Sequence, residues 1–417
     1  MPKTHNRCDR AEEGSAGIQA RLVVAARVRE RRASGCCAPV VGSLRSIPST
    51  MRALDLFSGI GGFAIAGESV GIETAAFCEI EPFAVGILKK RFPGVPVFSD
   101  VRELGADSIG GIDIVCGGFP CQDLSVAGKR AGLAGERSGL WYEMLRIIAG
   151  VRPHYVLAEN VRGAVNLALP TVVSGLEGEG YEVRASVVPA SAFGAPHKRE
   201  RLFVLGVRRD VADAVSEGLQ GGEWGGTFSG QSTAAFEPAA ECCKGKLWST
   251  PDASCGKRGT LAEDNLQRRM ERGMPLMLND QVRMWRTPQA SEGEHGGPNA
   301  RDSAGGAHLS AQAHTASGGG QLSPLWCECL MNFPIGWTDP NCDAPEPWPG
   351  WPALMGEAQY PYEPPRTCGR TPNRAARLKC LGNAVVPAQV RPFLEGVVAC
   401  DSQISSEVQT KQEEVYQ

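Results

Sequence analysis

Short apolar runs alternate with longer amphipathic stretches between residues 51 and 207, and this rhythm constrains the fold more than any other feature of the chain. Six runs have the length and composition of strands: RALDLF, TAAFCE, IDIVC, YVLAEN, VRASVVP and RLFVLGV. Helical spacing fits between them, and strand–helix–strand alternation is typical of an α/β fold. We therefore predict a doubly wound, Rossmann-like sheet over residues 51–207.

The remaining segments differ in character from this region. Residues 1–50 are rich in arginine, and we expect either a disordered leader upstream of a start at Met51 or a DNA-binding arm. Residues 208–373 contain Gly-, Ser- and Pro-rich loops and two copies of W-x-T-P-x-A-S-x-G, which predict a smaller, irregular domain. Residues 374–402 are expected to return to the first domain, with a last helix over 387–400. Residues 403–417 read as a polar tail.

Composition excludes several classes of protein. The formal net charge of -3 gives no global basic field, so any contact with nucleic acid must come from local patches. No apolar run is long enough for a transmembrane helix, and no secretory signal is present, which indicates a cytoplasmic protein. The fifteen cysteines form no CxxC pair and the six histidines no HExxH, so we expect free thiols and no metal site.

The first predicted strand leads into DLFSGIGGF (residues 55–63), where three glycines permit a tight turn that a ligand can approach closely. Glu79 ends the second strand about twenty residues later, where an acid holds ribose hydroxyls in nucleotide pockets. Asp100 is placed to accept a hydrogen bond from an adenine amino group. Because the glycines follow G-x-G-G rather than G-x-G-x-x-G, S-adenosylmethionine suits this turn better than a dinucleotide.

A candidate nucleophile follows the strand IDIVC, in the loop GGFPCQDLS (residues 117–125). Two glycines and a proline fix this loop, and Cys121 lies beyond the carboxyl end of the strand, where open α/β sheets bind ligands. We interpret Cys116, within the strand itself, as a buried apolar residue. A thiolate that adds to carbon 6 of cytosine makes carbon 5 nucleophilic enough to accept a methyl group.

Candidate helpers of this thiol stand at two other strand ends. Glu159 in AENV closes a strand on the same edge of the sheet, where a carboxyl group can stabilise charge on ring nitrogen 3. Arg199 and Arg201 alternate at the start of RLFVLGV and are expected to share one face, for a base carbonyl oxygen or a phosphate. A salt bridge to Glu200 is the alternative for these arginines.

Taken together, DLFSGIGGF, GGFPCQDLS, AENV, HKRERLFVLG, LSPLWCECLMNFPIGWT and LKCLGNAVVPAQV resemble the motifs of the cytosine-5 DNA methyltransferases, in order and spacing. The resemblance implies a large S-adenosylmethionine-dependent catalytic domain, a small target-recognition domain, and double-stranded DNA between them. It implies that Cys121 is the nucleophile, Glu159 the residue that binds nitrogen 3, and Arg201 the contact to the base oxygen, with Arg199 nearby. Cofactor contacts are implied at Phe57, Ile60, Gly62, Glu79, Ile80, Asp100, Val101, Pro120, Leu140 and Asn383. Many members of the family place an aromatic residue where Ile80 stands.

The resemblance also implies expectations about partners. The basic residues Arg366, Arg370, Arg374, Arg377 and Lys379 have no acids between them and are candidates for DNA phosphates, with a solvated charged face as the alternative for each. Residues 208–373 are expected to set the target sequence, and the chain is expected to act as a monomer, with a cognate restriction endonuclease as a candidate partner. Three alternatives stay open: a tRNA cytosine-5 methyltransferase, an inactive DNA-binding relative, and a nicotinamide oxidoreductase.

Overall fold

The computed structural model describes residues 50–120, 139–212, 268, 272, 284–302 and 305–415, with side chains at all of these except 295 and 404–415. All of these residues belong to one compact unit, Pro48–Gln417. The predicted leader up to residue 49, the first W-x-T-P-x-A-S-x-G copy and Cys121 lie outside the described residues.

A seven-stranded sheet forms the centre of the unit, in the order β3-β2-β1-β4-β5-β7-β6. Its strands are β1 (Arg52–Leu56), β2 (Glu73–Cys78), β3 (Val97–Phe98), β4 (Ile114–Gly118), β5 (Tyr155–Val161), β6 (Tyr181–Pro189) and β7 (Glu200–Arg208). Neighbours from β3 to β5 pair in parallel, whereas β7 is antiparallel to both β5 and β6. Each of the six predicted runs forms a strand, and the predicted α/β fold is confirmed; only the two-residue β3 is additional.

Helices cover both faces of this sheet. In chain order they are α1 (Gly62–Glu68), α2 (Pro82–Arg91), α3 (Gly139–Val151), α4 (Leu169–Gly178), α5 (Glu292–His295), α6 (Leu309–Ser317), α7 (Pro324–Leu330), α8 (Arg374–Asn383) and α9 (Pro387–Val415). On one face, α3 and α4 bury Trp141 and Leu176 against strand residues such as Val156. On the other face, α1 and α9 bury Phe63 and Phe393. Burying apolar residues on both faces is what an α/β sheet of this kind requires.

The described part of the predicted second domain packs directly against the first. Trp326 and Leu330 of α7 share one buried cluster with Leu88 of α2 and Ile60. In the same region, β8 (Gln321–Leu322) and β9 (Thr367–Cys368) form a two-stranded antiparallel sheet. The boundaries predicted at 208 and 373 stay a prediction, because most of residues 213–283 lie outside the described part of the chain.

The last helix is longer than predicted. The sequence predicts an end at residue 400, whereas α9 continues to Val415 and includes most of the predicted polar tail. Among the described residues, we find no helix with the length and apolarity that crossing a membrane requires.

Candidate active site

The turn after β1 has the left-handed backbone conformation that its glycines predict. Phe57, Gly59 and Gly61 all have positive φ angles, of 54°, 54° and 83°. A Cβ at Gly59 would have no atom within 4 Å, so the turn is open there. At Gly62 a Cβ would lie 2.7 Å from Val385, which shows that this glycine serves close packing with the C-terminal segment.

Glu79 fixes the turn to the end of β2. Its carboxylate accepts hydrogen bonds from the backbone amides of Gly59 and Glu81, each at 2.7 Å. Burial raises the pKa of Glu79, and these amides oppose the shift because they stabilise the charged form. The neighbouring Ile80 is 68% exposed, an unusual state for an isoleucine. The carboxyl end of β2 therefore presents an oriented acid and an uncovered apolar side chain beside an open turn.

The other predicted cofactor residues divide between this opening and the core. Half-buried residues at the carboxyl edge of the sheet are Phe57, Asp100 and Pro120, and Leu140 is half-buried at the start of α3. Asn383 is exposed, two residues before the Val385 that contacts the turn. Ile60 and Val101 are only 0% and 4% exposed. Both side chains are part of the core, and the expected cofactor contacts at these two positions stay predictions.

Glu159 lies beside the strand that leads to Cys121. In the parallel pairing of β4 with β5, Gly118 is the register partner of Glu159. A Cβ at position 118 would stand 2.8 Å from Oε2 of Glu159, closer than real Cβ contacts allow. The carboxylate thus occupies space that only a glycine leaves free, three residues before Cys121.

Arg201 holds the other side of this carboxylate. Its Nε lies 2.8 Å from Oε1 of Glu159, and both side chains are mostly buried. Burial raises the pKa of Glu159, while the positive charges of Arg201 and Arg199 act in the opposite direction. Glu159 and Arg201 thus form a mostly buried ion pair, and the raised pKa of Glu159 favours a carboxyl group that can hold a proton.

Asn160 links β5 to the segment that carries the thiol. Its side chain is 4% exposed, and its Nδ2 donates to the carbonyl oxygen of Phe119 at 3.2 Å. Its Oδ1 accepts from the backbone amide of Val161 at 2.8 Å. Sequence reasoning took AENV only for its glutamate. A buried amide next to a candidate catalytic acid was a signal for this second role.

Arg199 lies just outside the strand that carries Arg201, and the face that the two arginines were expected to share stays a prediction. β7 begins at Glu200, and Arg199 precedes it with a φ of 31°, so strand alternation does not apply. The Arg199 side chain is 3% exposed and donates to the carbonyl oxygens of Gly382, at 3.0 Å, and Ala384, at 2.5 Å. This arginine therefore ties the start of β7 to the segment that follows α8.

The second W-x-T-P-x-A-S-x-G copy, residues 285–293, contacts the same arginine. The backbone amide of Arg199 donates to Oγ1 of Thr287, and its guanidinium donates to the carbonyl oxygen of Pro288 at 3.3 Å. Gln389 of α9 also contacts Arg199: its side-chain amide nitrogen, Nε2, donates to the carbonyl oxygen of Arg199 at 2.9 Å. The described repeat copy is thus a structural support of the RER segment.

Asp55 is a buried acid that sequence reasoning did not single out. It is 1% exposed, and neither carboxylate oxygen has a hydrogen-bond partner among the described residues. Burial, with a smaller contribution from the charge of Glu79, raises its pKa well above the ordinary value. An acid within the apolar run RALDLF was a signal for this position.

The predicted phosphate-binding run does not act as one patch. Arg377 is 1% exposed, and its guanidinium lies 3.1 Å from the carboxylate of Glu328 and 3.3 Å from that of Asp339. The expectation that Arg377 binds DNA is therefore wrong, because two acids from distant positions neutralise it inside the core. Arg366 is also buried, 3.6 Å from Glu363.

The other members of the run lie nearer the surface. Lys379 is exposed but pairs with Glu81 at 2.8 Å, which raises the pKa of the lysine. Arg374 is half-buried, and its Nε donates to the carbonyl oxygen of Leu322 at 2.9 Å. Arg370 is exposed and makes no ion pair with a residue that the structure describes. Within this run, Arg370 and Arg374 thus keep cationic groups that pair with no acid in the described part of the chain.

Comparisons with known proteins agree with this geometry. A family model described as C-5 cytosine-specific DNA methylase matches residues 51–281. The chain is 39% identical over 166 residues to the type II methyltransferase M2.BsuMI of Bacillus subtilis, covering 37% of this chain and 41% of that protein. It is 33% identical over 165 residues to the type II methyltransferase M.HhaI of Haemophilus parahaemolyticus, covering 39% of this chain and 50% of that protein. The matches thus span about half, or less, of these relatives.

A solved structure supports the fold. The S. pombe Dnmt2 methyltransferase superposes with a TM-score of 0.51 at 16% sequence identity, covering 82% of this chain and 97% of that chain. At this level of identity the likeness establishes the shared α/β architecture.

Proposed function

The chain belongs to the C-5 cytosine-specific DNA methylase family, and we propose that it transfers a methyl group from S-adenosylmethionine to carbon 5 of a cytosine flipped out of duplex DNA. The observation that carries this proposal is the Glu159–Arg201 pair at 2.8 Å, in register with the strand that leads to Cys121. This reaction needs an acid, a cation and a thiol. Glu159, Arg201 and the strand that leads to Cys121 meet at one edge of the sheet.

The residues at the carboxyl ends of β1 to β3 fit the proposed cofactor. The turn is open over Gly59, Glu79 is held by two backbone amides beside it, and Ile80 offers an exposed apolar surface. In the proposed complex, Glu79 accepts hydrogen bonds from ribose hydroxyls, and Ile80 packs on the adenine with Asp100 at its amino group. S-adenosylmethionine supplies an electrophilic methyl group on a sulfonium sulfur.

In the proposed mechanism, the Sγ of Cys121 forms a bond to carbon 6 of the flipped base. The ring electrons move toward carbon 5, which becomes nucleophilic enough to accept the methyl group. Transfer of the methyl group would leave S-adenosylhomocysteine. Carbon 5 then gives its proton to a water molecule, the electrons of that C–H bond form the carbon 5–carbon 6 double bond, and the sulfur–carbon 6 bond breaks to regenerate the thiolate. Asn160 contributes by holding the Phe119 carbonyl, which limits the motion of the chain just before Cys121.

Glu159 and Arg201 act on the ring in this scheme. A protonated Glu159 donates a hydrogen bond to nitrogen 3 and so stabilises the charge that thiolate addition creates. Arg201 binds the base oxygen and, through its pairing with Glu159, fixes the orientation of the carboxyl group. Arg199 supports Glu159 and Arg201, because it anchors the start of β7.

Double-stranded DNA is the proposed partner, and residues 208–373 are the proposed reader of the bases that flank the target. Flipping a base costs a few kcal/mol, and the catalytic pocket contacts only the flipped base, so the flanking sequence must be read elsewhere. A cognate endonuclease, a cytoplasmic location and a monomeric state remain part of this proposal.

Covalent trapping tests the proposed chemistry. Duplex DNA that contains 5-fluorocytosine should form a protein–DNA complex that survives denaturing electrophoresis, because fluorine prevents the final elimination. Cys121→Ala should abolish both trapping and methyl transfer, whereas Cys342→Ala, a matched change at a half-buried thiol, should retain both. Full activity of Cys121→Ala would overturn the mechanism, and methylation of a tRNA transcript in place of duplex DNA would overturn the assigned substrate.

A further inference from the structure

A groove of about 780 Å³ lies where three segments meet, and neither Glu159 nor any other residue of the seven-stranded sheet lines it. Its walls come from the glycine tract before β8, the residues after β9, and the first turn of α8. Gly320, Gln321, Arg370, Asn373 and Arg374 line it, and it has no acidic lining residue among those that the structure describes. The groove is therefore a cationic surface without internal neutralisation.

Both arginines of the groove have unused hydrogen-bonding capacity. Arg370 is exposed and has no acid partner among the described residues. Arg374 lines the groove, uses Nε on the carbonyl oxygen of Leu322, and has no acid partner among the described residues. An anionic oxygen in the groove would therefore meet two guanidinium groups that no described carboxylate neutralises.

The backbone of α8 adds to this preference for an anion. The helix has ten residues, and its N-cap, Asn373, has a φ of 55° and makes no side-chain cap hydrogen bond. The first helical hydrogen bond is donated by Arg377 to the carbonyl oxygen of Asn373. The amides of residues 374–376 therefore have no helical acceptor, and the positive end of the helix dipole lies at the groove because these three residues line it.

Helix α8 connects the groove to the start of β7. It extends from Arg374, in the groove, to Gly382, whose carbonyl oxygen accepts from Arg199 beside β7. At a rise of 1.5 Å per residue, these two residues are about 12 Å apart along the helix. A duplex that lay along α8 would cover that distance in about four base pairs, at 3.4 Å per base pair.

We propose that this groove binds the phosphate backbone of duplex DNA a few base pairs from the target cytosine, with Arg370 and Arg374 as the contacting cations. The proposal rests on the proposed function for its choice of ligand. Contacts to phosphates carry no sequence information, so the groove orients and holds the duplex but does not select the target.

The salt dependence of binding tests this assignment. Anisotropy of a fluorescent duplex of about 30 base pairs, titrated between about 50 and 200 mM salt, gives the slope of log K against log salt. Arg370→Ala should reduce the magnitude of that slope by about 0.9, which corresponds to about eightfold weaker binding near 0.1 M salt. Arg370→Lys should keep the wild-type slope, because it keeps the charge.

Matched controls separate this contact from other effects. Arg391→Ala removes an exposed arginine of α9 that pairs with Glu395, and it should leave the slope unchanged. Two unrelated duplex sequences should weaken equally with Arg370→Ala, since the contact does not read bases. A thermal unfolding curve like that of the wild type should accompany Arg370→Ala, because this side chain is exposed.

Several results would overturn the proposal. One is an unchanged slope of log K against log salt in Arg370→Ala. A second is a loss of affinity in this variant that differs between the two duplex sequences. A third is inorganic phosphate that binds the groove as tightly as duplex DNA does and displaces it. Failure of the proposed function is distinguishable, because the anisotropy assay does not require methyl transfer. A wild-type protein that binds duplex DNA with the expected slope but leaves it unmethylated would contradict the enzyme assignment and not the groove.

Discussion

Replacing Gly118 with alanine is expected to slow methyl transfer with little loss of stability. The new Cβ would stand 2.8 Å from Oε2 of Glu159, whereas ordinary contacts begin near 3.4 Å, so the carboxylate must retreat by about 0.6 Å. A misplacement of 1 Å at a reacting centre can cost about a hundredfold in rate. We therefore expect kcat/KM to fall about 10- to 100-fold, which is about 1.4 to 2.7 kcal/mol of transition-state stabilisation.

The assay is incorporation of labelled methyl groups into duplex DNA under single-turnover conditions. Gly86→Ala is the matched control, because a Cβ at this helical position meets no atom within 4 Å and should not affect the rate. A double-mutant cycle identifies the route of the effect: in a Glu159→Ala background, Gly118→Ala should add less than about twofold, since the clashing carboxylate is absent. An additive loss in the cycle, or wild-type kcat/KM in the single variant, would refute the reasoning.

Two further predictions concern charge. Because burial raises the pKa of Glu159, kcat/KM should fall as pH rises through that raised pKa and deprotonates the carboxyl group; a pH–rate profile in which Glu159→Gln keeps the same alkaline limb would contradict this. Arg377→Met should destabilise the protein by about 3 to 5 kcal/mol in urea unfolding, because Glu328, which is 0% exposed, loses its cation. Lys379→Met, at an exposed pair with Glu81, should cost less than about 1 kcal/mol, and equal losses in these two variants would be inconsistent with a buried ion pair.

The parts of the site that follow from local pattern could be predicted from the sequence. The strands that precede Cys121 and contain Glu159 have parallel neighbours, and parallel strands end on the same edge, so their proximity follows once the strands are identified. The G-x-G-G turn is predictable for a similar reason, because its positive φ angles are a local property of glycine.

The parts that depend on distant partners could not be predicted. No acid lies near Arg377 in the sequence. Its partners in the structure are Glu328 and Asp339, which lie 49 and 38 positions away. The role of Arg199 is set by carbonyl oxygens at 382 and 384, more than 180 positions away. Periodicity describes one element at a time, so it gives no information on which cations are neutralised by contacts between elements.

The antiparallel direction of β7 has a consequence for the length of chain that follows it. Arg201 is paired with Val161 at the catalytic edge, so β7 begins at that edge, and the chain leaves the sheet at Arg208, on the opposite side. Trp285 lies near the other end of this strand, since its amide donates to the carbonyl oxygen of Pro196, just before β7. The two described anchoring points, Arg208 and Trp285, therefore stand apart by about the length of β7, roughly 26 Å. About eight extended residues span that distance, so a connection far shorter than segment 209–284 can join them.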